Sequence, residues 1–445
     1  MRQNPLQAKE SALASPMAFT VLLVVGMVIR LVVLAMMATT PLVSDAEDYR
    51  QMAMRLVAGE HFVPYWPAGV PLFLTPLIAA GTGTVVLRVA MLLWWLLFCF
   101  GVARLAGDLR IPRRLWMLLL AIFTVAPAMV YHSIEPLTQM PAAALLVWAL
   151  SASVRCCERP SWGEALLLGA SAGYLALVRP SSAPLLLLLP AIVLWRRRQF
   201  AQSLFAASLA AAMLLAWAGY AHHLCGRLMI NSSNGLNAFY GNNPWTPLYR
   251  TWYFGSHAKP GTEEIHRFPE FERVIKSTSA VPQLDRSAAY QKLAVDYIVA
   301  HPGAFVLRTV NRIRCFWGFD TFAAANLRSS RGAVKKLFPA VFLLDAACYL
   351  LVAGFAVFWM AAAPGSFWRR WQTWLLAGAS VLYAVPYWVT MSHPTYHFPV
   401  VAPLALLGLV AYQAGGQAAT RWRGWVALTG FALIQVEWLY FLSRN

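Results

Sequence analysis

The stretch that decides the fold is a long apolar run near the N-terminus, AFTVLLVVGMVIRLVVLAMM at Ala18–Met37, whose one charged residue is Arg30. A run of about 20 apolar residues is long enough to cross a bilayer as a helix. It is also too long for the apolar part of a cleavable signal peptide, and no small-residue cleavage site follows it. We therefore interpret it as the first of a series of membrane spans.

The composition of the whole chain agrees with this interpretation. Of the 445 residues, 59% are hydrophobic and 12% are charged, about half the charged share of an average soluble domain. These figures exclude a set of soluble domains, a disordered tail, a collagenous fibre and a disulfide-rich secreted scaffold. The formal net charge of +18 is typical of nucleic-acid-binding proteins, but those proteins are not this apolar. We expect no nucleic-acid partner.

The sequence predicts an all-α polytopic membrane protein, a single integral membrane domain over residues 1–445 with eleven transmembrane helices. The predicted spans are Ala18–Met37, Val85–Leu105, Leu115–Tyr131, Gln139–Val154, Glu164–Val178, Ser182–Trp195, Phe200–Tyr220, Leu337–Met360, Trp371–Thr390, Phe398–Ala414 and Trp425–Phe441. Glu164–Val178 and Ser182–Trp195 are short for a span.

Basic residues mark every second short connection between these runs. They are Arg2, Lys9, Arg104, Arg110, Arg113, Arg114, Arg155, Arg159, Arg196, Arg197, Arg198, Arg369, Arg370, Arg421 and Arg423. Because Lys and Arg are enriched in cytoplasmic loops, the N-terminus is predicted to be cytoplasmic and the C-terminus extracytoplasmic. All nine histidines and twelve of the eighteen carboxylates then lie on the extracytoplasmic side.

Two longer segments fall on that outer side, residues 39–84 and residues 222–336. The second contains fifteen Lys and Arg residues against seven carboxylates, and it is too long for a connection without structure of its own. We expect juxtamembrane helices in it, including an amphipathic helix at Asp285–Ala300 and a helix at Phe305–Phe316.

The first outer loop begins with a candidate catalytic motif, Ser44-Asp45-Ala46-Glu47-Asp48-Tyr49. Ser44 and Glu47 fit a capping box, which predicts a helix start, and Gly59 is a suitable stop. Asp45, Asp48 and Tyr49 would share one face of this helix. An ionised carboxylate at a membrane surface can accept a proton from a hydroxyl nucleophile. Dipole compensation at a helix N-terminus explains Asp45 equally well.

An aromatic turn follows, Tyr65-Trp66-Pro67-Ala68-Gly69-Val70-Pro71-Leu72. Its density of Pro and Gly predicts a non-helical return to the bilayer surface, and Tyr65 and Trp66 suit the aromatic belt of the membrane interface.

These features together resemble the C-type membrane glycosyltransferases, most closely the branch of bacterial aminoarabinose transferases for lipid A and protein O-mannosyltransferases. The resemblance rests on a first span that ends before Asp-x-x-x-Tyr, a helix closed by Gly and an aromatic-Pro-x-Gly-x-Pro turn. Further matching pieces follow in order over nearly the whole chain: Arg30, Glu135-Pro136, Leu177-Val178-Arg179-Pro180, Asn231–Asn237, Gly241-Asn242-Asn243-Pro244, His301-Pro302 and His393–Pro399.

The chain departs from the family pattern at four points. Ala46 stands where relatives often have Glu, the turn has Pro67-Ala68 rather than two prolines, and Thr395 replaces an Arg beside Tyr396. We also expect no soluble C-terminal domain after the last predicted span, where some relatives have one.

The resemblance implies sugar transfer from a polyprenyl-phosphate carrier to an acceptor hydroxyl on an envelope lipid, glycan or surface protein. It implies a multi-pass protein of the bacterial cytoplasmic membrane, with a periplasmic active site and the bilayer as a partner; we expect a monomer. In this interpretation Asp45 is the base of an inverting displacement, with Asp48 as the alternative. Substrate binding would involve Tyr49, Glu135, Arg179, Arg308, Arg312, His393, Tyr396 and His397. Arg179, Arg308 and Arg312 would stabilise the departing phosphate, and Tyr49 and Tyr396 would position sugar or phosphate. His393, Tyr396 and His397 would lie together at the outer mouth of the tenth span.

Several alternatives stay open at this stage. Arg328, Arg331, Lys335 and Lys336 could bind the donor phosphate or lipid headgroups, while Arg30 and Arg88 could be anchors or carboxylate partners. Glu135 could instead make a polar contact with Asp48 or an arginine. No cofactor is required, but two His with Glu135 or His132 could bind a divalent metal. Cys225 and Cys315 could form a disulfide. The aromatic residues Trp245, Tyr249, Trp252, Tyr253 and Phe254 could form an acceptor platform or anchor the loop.

Two other functional classes compete with glycosyl transfer to a hydroxyl. A polyprenyl-linked polysaccharide polymerase or ligase would rely on Arg and His in outer loops, with less need for Asp45. A lipid-linked sugar transporter would show inverted repeats and mid-membrane charges. We detect no internal repeat.

Overall fold

The computed structural model describes residues 16–258, 260–329, 332–415 and 420–443, so Arg2, Lys9 and Arg331 lie outside the described residues. Within these ranges the secondary structure is helical, with no strand. The first helices are α1 (Pro16–Met36), α2 (Asp45–Val57), α3 (Gly69–Ala79), α4 (Thr84–Asp108), α5 (Arg113–Val125), α6 (Pro127–Ile134), α7 (Gln139–Glu158), α8 (Trp162–Val178), α9 (Leu185–Arg197) and α10 (Phe200–Cys225).

The second half of the chain continues in the same way. Its helices are α11 (Asn234–Gly241), α12 (Tyr253–Ser256), α13 (Pro269–Ser279), α14 (Arg286–Ala300), α15 (Pro302–Phe316), α16 (Phe322–Ser329), α17 (Phe338–Ala362), α18 (Gly365–Trp368), α19 (Trp371–Val389), α20 (Phe398–Gly415) and α21 (Arg421–Ser443). A 3₁₀ turn at Pro394–His397 precedes α20. The segment 222–336 is thus largely helical, as predicted, and α14 and α15 confirm the two helices expected there.

Helix length and composition define a multi-pass membrane protein. In the described part of the chain, seven helices are long and apolar enough to cross a membrane, or up to nine if each of two bent pairs counts as one span. All eleven predicted runs are largely helical, but α8 and α9 fall among the shorter apolar helices and α19 is not among the candidate spans. One of the two bent pairs, α14 with α15, was not predicted to span the membrane. The range of seven to nine is lower than the predicted eleven.

One predicted span is not a continuous helix. The run Leu115–Tyr131 divides into α5 and α6, which are bent by 67°. Pro127 begins α6, and Ala126 before it has the extended backbone conformation that a following proline favours. The proline also lacks the N–H that would continue the helix. The same chemistry separates α14 from α15 at His301-Pro302, where the bend is 108°.

Small residues set the closest helix packing in the bundle. Gly169 and Gly173 on α8 form a GxxxG pattern that faces Ala206 and Ala210 on α10, and a Cβ at Gly169 would lie 2.7 Å from the Ala206 carbonyl oxygen. Membrane helices associate through this close backbone approach, since lipid provides no hydrophobic drive between them. The larger core joins α4, α7, α8 and α20.

Helix α2 begins and ends where the sequence of the first outer loop predicts a helix to begin and end. It ends in a Schellman motif in which Gly59 has φ of 66°, the Glu60 N–H donates to the Arg55 carbonyl and the Gly59 N–H to the Leu56 carbonyl. The predicted capping box is wrong. Ser44 has a positive φ of 53° and makes no side-chain cap, and its hydroxyl donates to Asp45 Oδ1 at 3.4 Å instead. Glu47 pairs with Arg50 rather than with the start of the helix.

Arg30 is a structural anchor for the break between α5 and α6. Its guanidinium is fully buried and lies 4.0 Å from the Trp95 ring centroid. Its acceptors are Ser133 Oγ (2.8 Å) and the carbonyl oxygens of Gly26 (3.1 Å), Thr124 (3.1 Å) and Met129 (3.4 Å). The broken helix leaves carbonyls that need donors in an apolar surrounding, and Arg30 supplies them.

Arg88 anchors the end of α1 in the same way. It donates to the carbonyl oxygens of Met37 (2.7 Å) and Thr40 (2.9 Å) and forms a buried salt bridge with Glu135 at 2.8 Å. Glu135, predicted from the resemblance to bind substrate, lies in this ion pair, which fixes the first loop against the start of α7.

The ion pair gives a stability prediction. Glu135→Gln would leave the Arg88 charge buried without its partner, so we expect a loss on the order of 3–5 kcal/mol. The melting temperature in detergent measures this, with the exposed Glu60→Gln as control, because Glu60 pairs with Arg55 at the surface. Equal melting temperatures for the two variants would show that the pair does not hold the fold.

Candidate functional site

The 3₁₀ turn at Pro394–His397 divides the predicted His393, Tyr396 and His397 group between two surroundings. Tyr396 stacks on Tyr387 with centroids 4.6 Å apart. His397 instead packs on Tyr349 at 4.6 Å, and its Nδ1 lies 2.6 Å from the Phe316 carbonyl oxygen. The sequence interpretation placed these side chains at one mouth, but successive residues of a tight turn point in different directions.

The first surrounding is a cluster of five residues, Asp45, Tyr49, Arg179, Tyr387 and Tyr396, which we term the Arg179 cluster. Arg179 donates to the Tyr387 hydroxyl at 2.9 Å, and its guanidinium carbon lies 5.5 Å from the Tyr396 ring centroid. Asp45 and Arg179 both act electrostatically on Tyr49 and Tyr396. The structure thus brings together the predicted base, the predicted phosphate ligand and both predicted positioning tyrosines.

Burial and charge shape Tyr49 within this cluster. Its side chain is 4% exposed and packs edge-to-face on Trp66 at 5.7 Å. Burial, and after it the charge of Asp45, raise the pKa of Tyr49 well above its ordinary value. The phenol therefore stays neutral and can donate a hydrogen bond to an anionic ligand.

The aromatic turn places the first loop beside Arg179. Helix α3 begins at Gly69, whose carbonyl accepts a hydrogen bond from the Tyr174 hydroxyl at 2.8 Å. A Cβ at Gly69 would lie 2.6 Å from the Val178 backbone nitrogen, so only glycine permits this approach to the end of α8. Arg179 follows directly as the C-cap of that helix.

Arg312 closes the end of α19 from the other side. It donates to the carbonyl oxygens of Val389 (3.1 Å) and Trp388 (3.4 Å), to Asn242 Oδ1 (2.9 Å) and to the Gly241 carbonyl. A cation suits the negative end of a helix dipole. The Gly241-Asn242 motif therefore locks segment 222–336 onto the helix that carries Tyr387.

Arg308 lies one helical turn before Arg312 on α15. Its Nη2 donates to the Thr246 carbonyl at 2.5 Å, and its guanidinium carbon lies 5.0 Å from the Tyr297 ring. Its Nε and Nη1 are buried without a hydrogen-bond partner, as are Arg179 Nε and Arg312 Nε. Arg308 also has a side-chain hydrogen bond with Tyr297, so two of its nitrogens remain without a partner, against one for Arg312.

The three guanidinium groups share one electrostatic property. Each is at least nine-tenths buried, with exposures of 7% for Arg179, 2% for Arg308 and 0% for Arg312. Among the described residues, none of the three forms a salt bridge with a carboxylate. Buried charges in proteins are normally paired. Asp45 is the single carboxylate of the Arg179 cluster, so the positive charge of the three arginines exceeds what this carboxylate can offset.

Asp320 organises the second surrounding and was not predicted from the sequence. It accepts hydrogen bonds from Thr395 Oγ1 (2.8 Å) and the Phe322 N–H (2.9 Å), and it lies 3.2 Å from His132 Nε2. Burial alone would raise the pKa of Asp320, but the hydrogen bond and charge of His132, with His393, hold it well below its ordinary value. Asp320 thereby fixes the residue next to Tyr396.

Other predicted residues have separate places. Asp48 is exposed, and its charge acts on Tyr65 together with that of Asp45. The His393 ring accepts a hydrogen bond from the Thr395 N–H at 3.3 Å. His132 and Glu135, the proposed metal partners, bind Asp320 and Arg88 instead. The described residues contain no group of three or more His, Cys, Asp or Glu side chains that could hold a metal.

The aromatic residues proposed as a platform are mostly interior. Trp252, Tyr253 and Phe254 are buried in two hydrophobic cores. Tyr249 is exposed and stacks on Phe441, with centroids 6.4 Å apart. Anchoring of the segment therefore accounts for most of this group. Cys225 and Cys315 are free thiols, so the disulfide considered for them is not formed.

Comparison with known proteins adds no relative: no family model, curated protein or solved structure matches the chain.

His393 gives a pH prediction. Burial, opposed by the charge of Asp320, lowers the pKa of His393 from 6.5 to about 4. Between these values the unfolded chain binds more protons at this ring than the folded protein, so stability is lost as pH falls. We expect the wild type to lose up to about 3 kcal/mol more stability than His393→Gln as pH falls over this window, measured as the difference between their melting-temperature profiles.

The matched control is His266→Gln, because the His266 side chain is 69% exposed and bound only to Glu272. A His393→Gln profile parallel to that of this control would contradict the assignment.

Proposed function

We propose that the chain is a membrane glycosyltransferase that transfers a sugar from a polyprenyl-phosphate carrier to an acceptor hydroxyl. The observation that carries the proposal is the excess of buried positive charge that Arg179, Arg308 and Arg312 place around the end of α19. The resemblance to the C-type glycosyltransferases agrees with it. No cofactor is needed for this chemistry.

A phosphate group would supply the missing negative charge. Arginine offers fixed N–H donors that match phosphate oxygens, and it stays protonated at working pH. Arg179 Nε and the two unpartnered nitrogens of Arg308 are the donors still available. Because Arg312 is largely occupied by carbonyl oxygens, we assign it to positioning rather than direct phosphate contact, in contrast to the sequence interpretation.

Asp45 is the proposed general base. It lies in the first turn of α2, where the helix dipole favours the ionised carboxylate. The acceptor hydroxyl would give its proton to Asp45 while its oxygen attacks the anomeric carbon. The bond from that carbon to the phosphate oxygen breaks on the opposite face, which inverts the configuration. The phosphate leaves with the bonding electrons toward Arg179.

Neighbouring residues complete the proposed site. Tyr49 and Tyr396 flank both Asp45 and Arg179 and would donate hydrogen bonds to sugar or phosphate. His393 and His397 would act through the turn that holds Tyr396, and Glu135 through the Arg88 pair. Asp48 is the alternative base.

The membrane setting is part of the proposal. Apolar side chains of α1, α10, α17 and α21 are widely exposed, as lipid contact requires. We propose eleven spans in the cytoplasmic membrane of a bacterium, with the Arg179 cluster on the periplasmic side and the acceptor an envelope lipid, glycan or protein. The functional unit would be a monomer.

The base assignment is tested by Asp45→Asn. Loss of a general base costs about 100-fold or more in rate, so we expect sugar transfer to fall by that factor. Turnover is measured with purified protein and a polyprenyl-phosphate sugar. In cells that carry each variant, the product is identified by mass spectrometry of surface glycans. Asp48→Asn is the matched comparison, because Asp48 lies about one helical turn after Asp45 on α2.

Full activity of Asp45→Asn with loss in Asp48→Asn would transfer the role to Asp48. Full activity of both would favour a polysaccharide polymerase or ligase, which has less need for Asp45, over the proposed reaction.

The leaving-group assignment is tested by Arg179→Gln. Removing one charge-stabilising donor from a preorganised site costs about 100- to 1,000-fold in kcat, and we expect a loss in that range. Arg179→Lys should recover only part, because an ammonium cannot reproduce the planar donor set. The exposed, surface-paired Arg267→Gln is the control, and an Arg179→Gln rate equal to the control rate would refute this role.

A further inference from the structure

A cavity inside the bundle contains a carboxylate that the proposed function does not use. It holds about 40 Å³ of water-sized space, where a single water needs about 10–15 Å³. Its walls come from the α5–α6 break, α17 and the start of α20. The polar residues lining it are Asp320, Asp345, Cys348, Tyr349 and His397.

Asp345 is the residue of interest. It lies on α17 and is 4% exposed. Its Oδ1 accepts the Ala128 N–H at 3.0 Å, which is one of the free N–H groups at the start of α6. Its Oδ2 is buried and has no hydrogen-bond partner among the described residues. Oδ1 of Asp345 therefore caps the start of α6, whereas Oδ2 lacks a hydrogen-bond donor among the described residues.

The titratable groups around the cavity do not donate a hydrogen bond to Asp345 Oδ2. Asp320 is itself a carboxylate, and it is bound to His132 and Thr395. The Tyr349 hydroxyl donates to the Trp317 carbonyl at 2.9 Å. Since His397 Nδ1 faces the Phe316 carbonyl, the proton lies on Nδ1 and the second ring nitrogen of a neutral imidazole is an acceptor.

The residues that line the cavity supply no full positive charge to offset the Asp345 carboxylate. No Lys or Arg belongs to the described residues that line the cavity. The start of α6 supplies only a partial positive charge, about half an elementary charge. Ionisable side chains within membrane segments are costly, and those that face the bundle interior or a water-filled cavity mark ion or proton sites.

We propose that this cavity binds one monovalent cation, a proton or a sodium ion, at Oδ2 of Asp345. A proton would convert Oδ2 into a hydroxyl donor toward cavity water or His397, and a sodium ion would take Oδ2 and water as ligands. A multivalent metal fits less well, because the described residues there form no group of three or more metal-binding side chains. This proposal is independent of the proposed glycosyl transfer.

The position of the cavity gives the bound cation a structural consequence. Asp320 lines the cavity and holds Thr395, and the next residue in the turn is Tyr396 of the Arg179 cluster. Binding of a cation lowers the repulsion between Asp345 and Asp320, which act on each other electrostatically. The cation thus stabilises the turn together with the α5–α6 break.

The test is the thermal stability of purified full-length protein in detergent. Stability is measured against sodium chloride at fixed ionic strength with choline chloride, and separately against pH. A bound ligand stabilises in proportion to the logarithm of its concentration over its Kd. For a sodium site, the melting temperature of the wild type rises with sodium, and Asp345→Asn abolishes the rise. For a proton site, stability falls as pH increases, and Asp345→Asn abolishes the fall.

Asp285→Asn, an exposed carboxylate paired with Arg227, is the control and should retain the wild-type responses. If Asp345→Asn keeps the same sodium and pH responses as the wild type, the proposal is overturned. If that variant does not fold, two measurements on the wild type decide. Radioactive sodium binding, or an infrared band of a protonated carboxylic acid, supports the site, and absence of both overturns it.

Discussion

The structure depends on satisfying backbone groups where helices end or break inside an apolar bundle. Lipid offers no hydrogen bonds, so each free N–H or C=O in the membrane needs a partner from the protein. Four buried charged side chains supply these partners: Arg88 at the end of α1, Arg30 and Asp345 at the α5–α6 break, and Arg312 at the end of α19. The interruptions can persist because these charges meet them.

The hydrogen-bond and charge partners of the buried arginines also distinguish the candidate site. Arg30 and Arg88 have several acceptors each, and Arg88 also has a carboxylate partner. Arg179 and Arg308 retain buried donors without acceptors close to the element that Arg312 caps. Arg104 and Arg314 also retain such a donor, but each of them has a glutamate partner. Because most other buried charges are paired, we expect these donors to bind a ligand. An anion with several oxygens would match the planar donor set of arginine. Asp45, on the facing helix, gives that ligand a neighbouring base.

Local patterns in the sequence predicted the local structure well. Apolar runs predicted helices, and Gly59 predicted the end of α2, because both signals act within a few residues. The contacts that define the site join distant positions: Arg88 and Glu135 are 47 residues apart, and Asp320 and Thr395 are 75 apart. No periodicity encodes such pairs. Asp320 was therefore missed, and Glu135 was interpreted as a substrate ligand although it lies in a buried ion pair.

The central claim is that the buried arginines receive a phosphate beside Asp45. The most direct measurement is an experimental structure of the protein in nanodiscs with an added polyprenyl phosphate. We expect density for the phosphate within hydrogen-bonding distance of Arg179 Nε, with its lipid tail between helices and Asp45 next to the head group. Phosphate density remote from Arg179 and Asp45, at saturating lipid, would contradict the account.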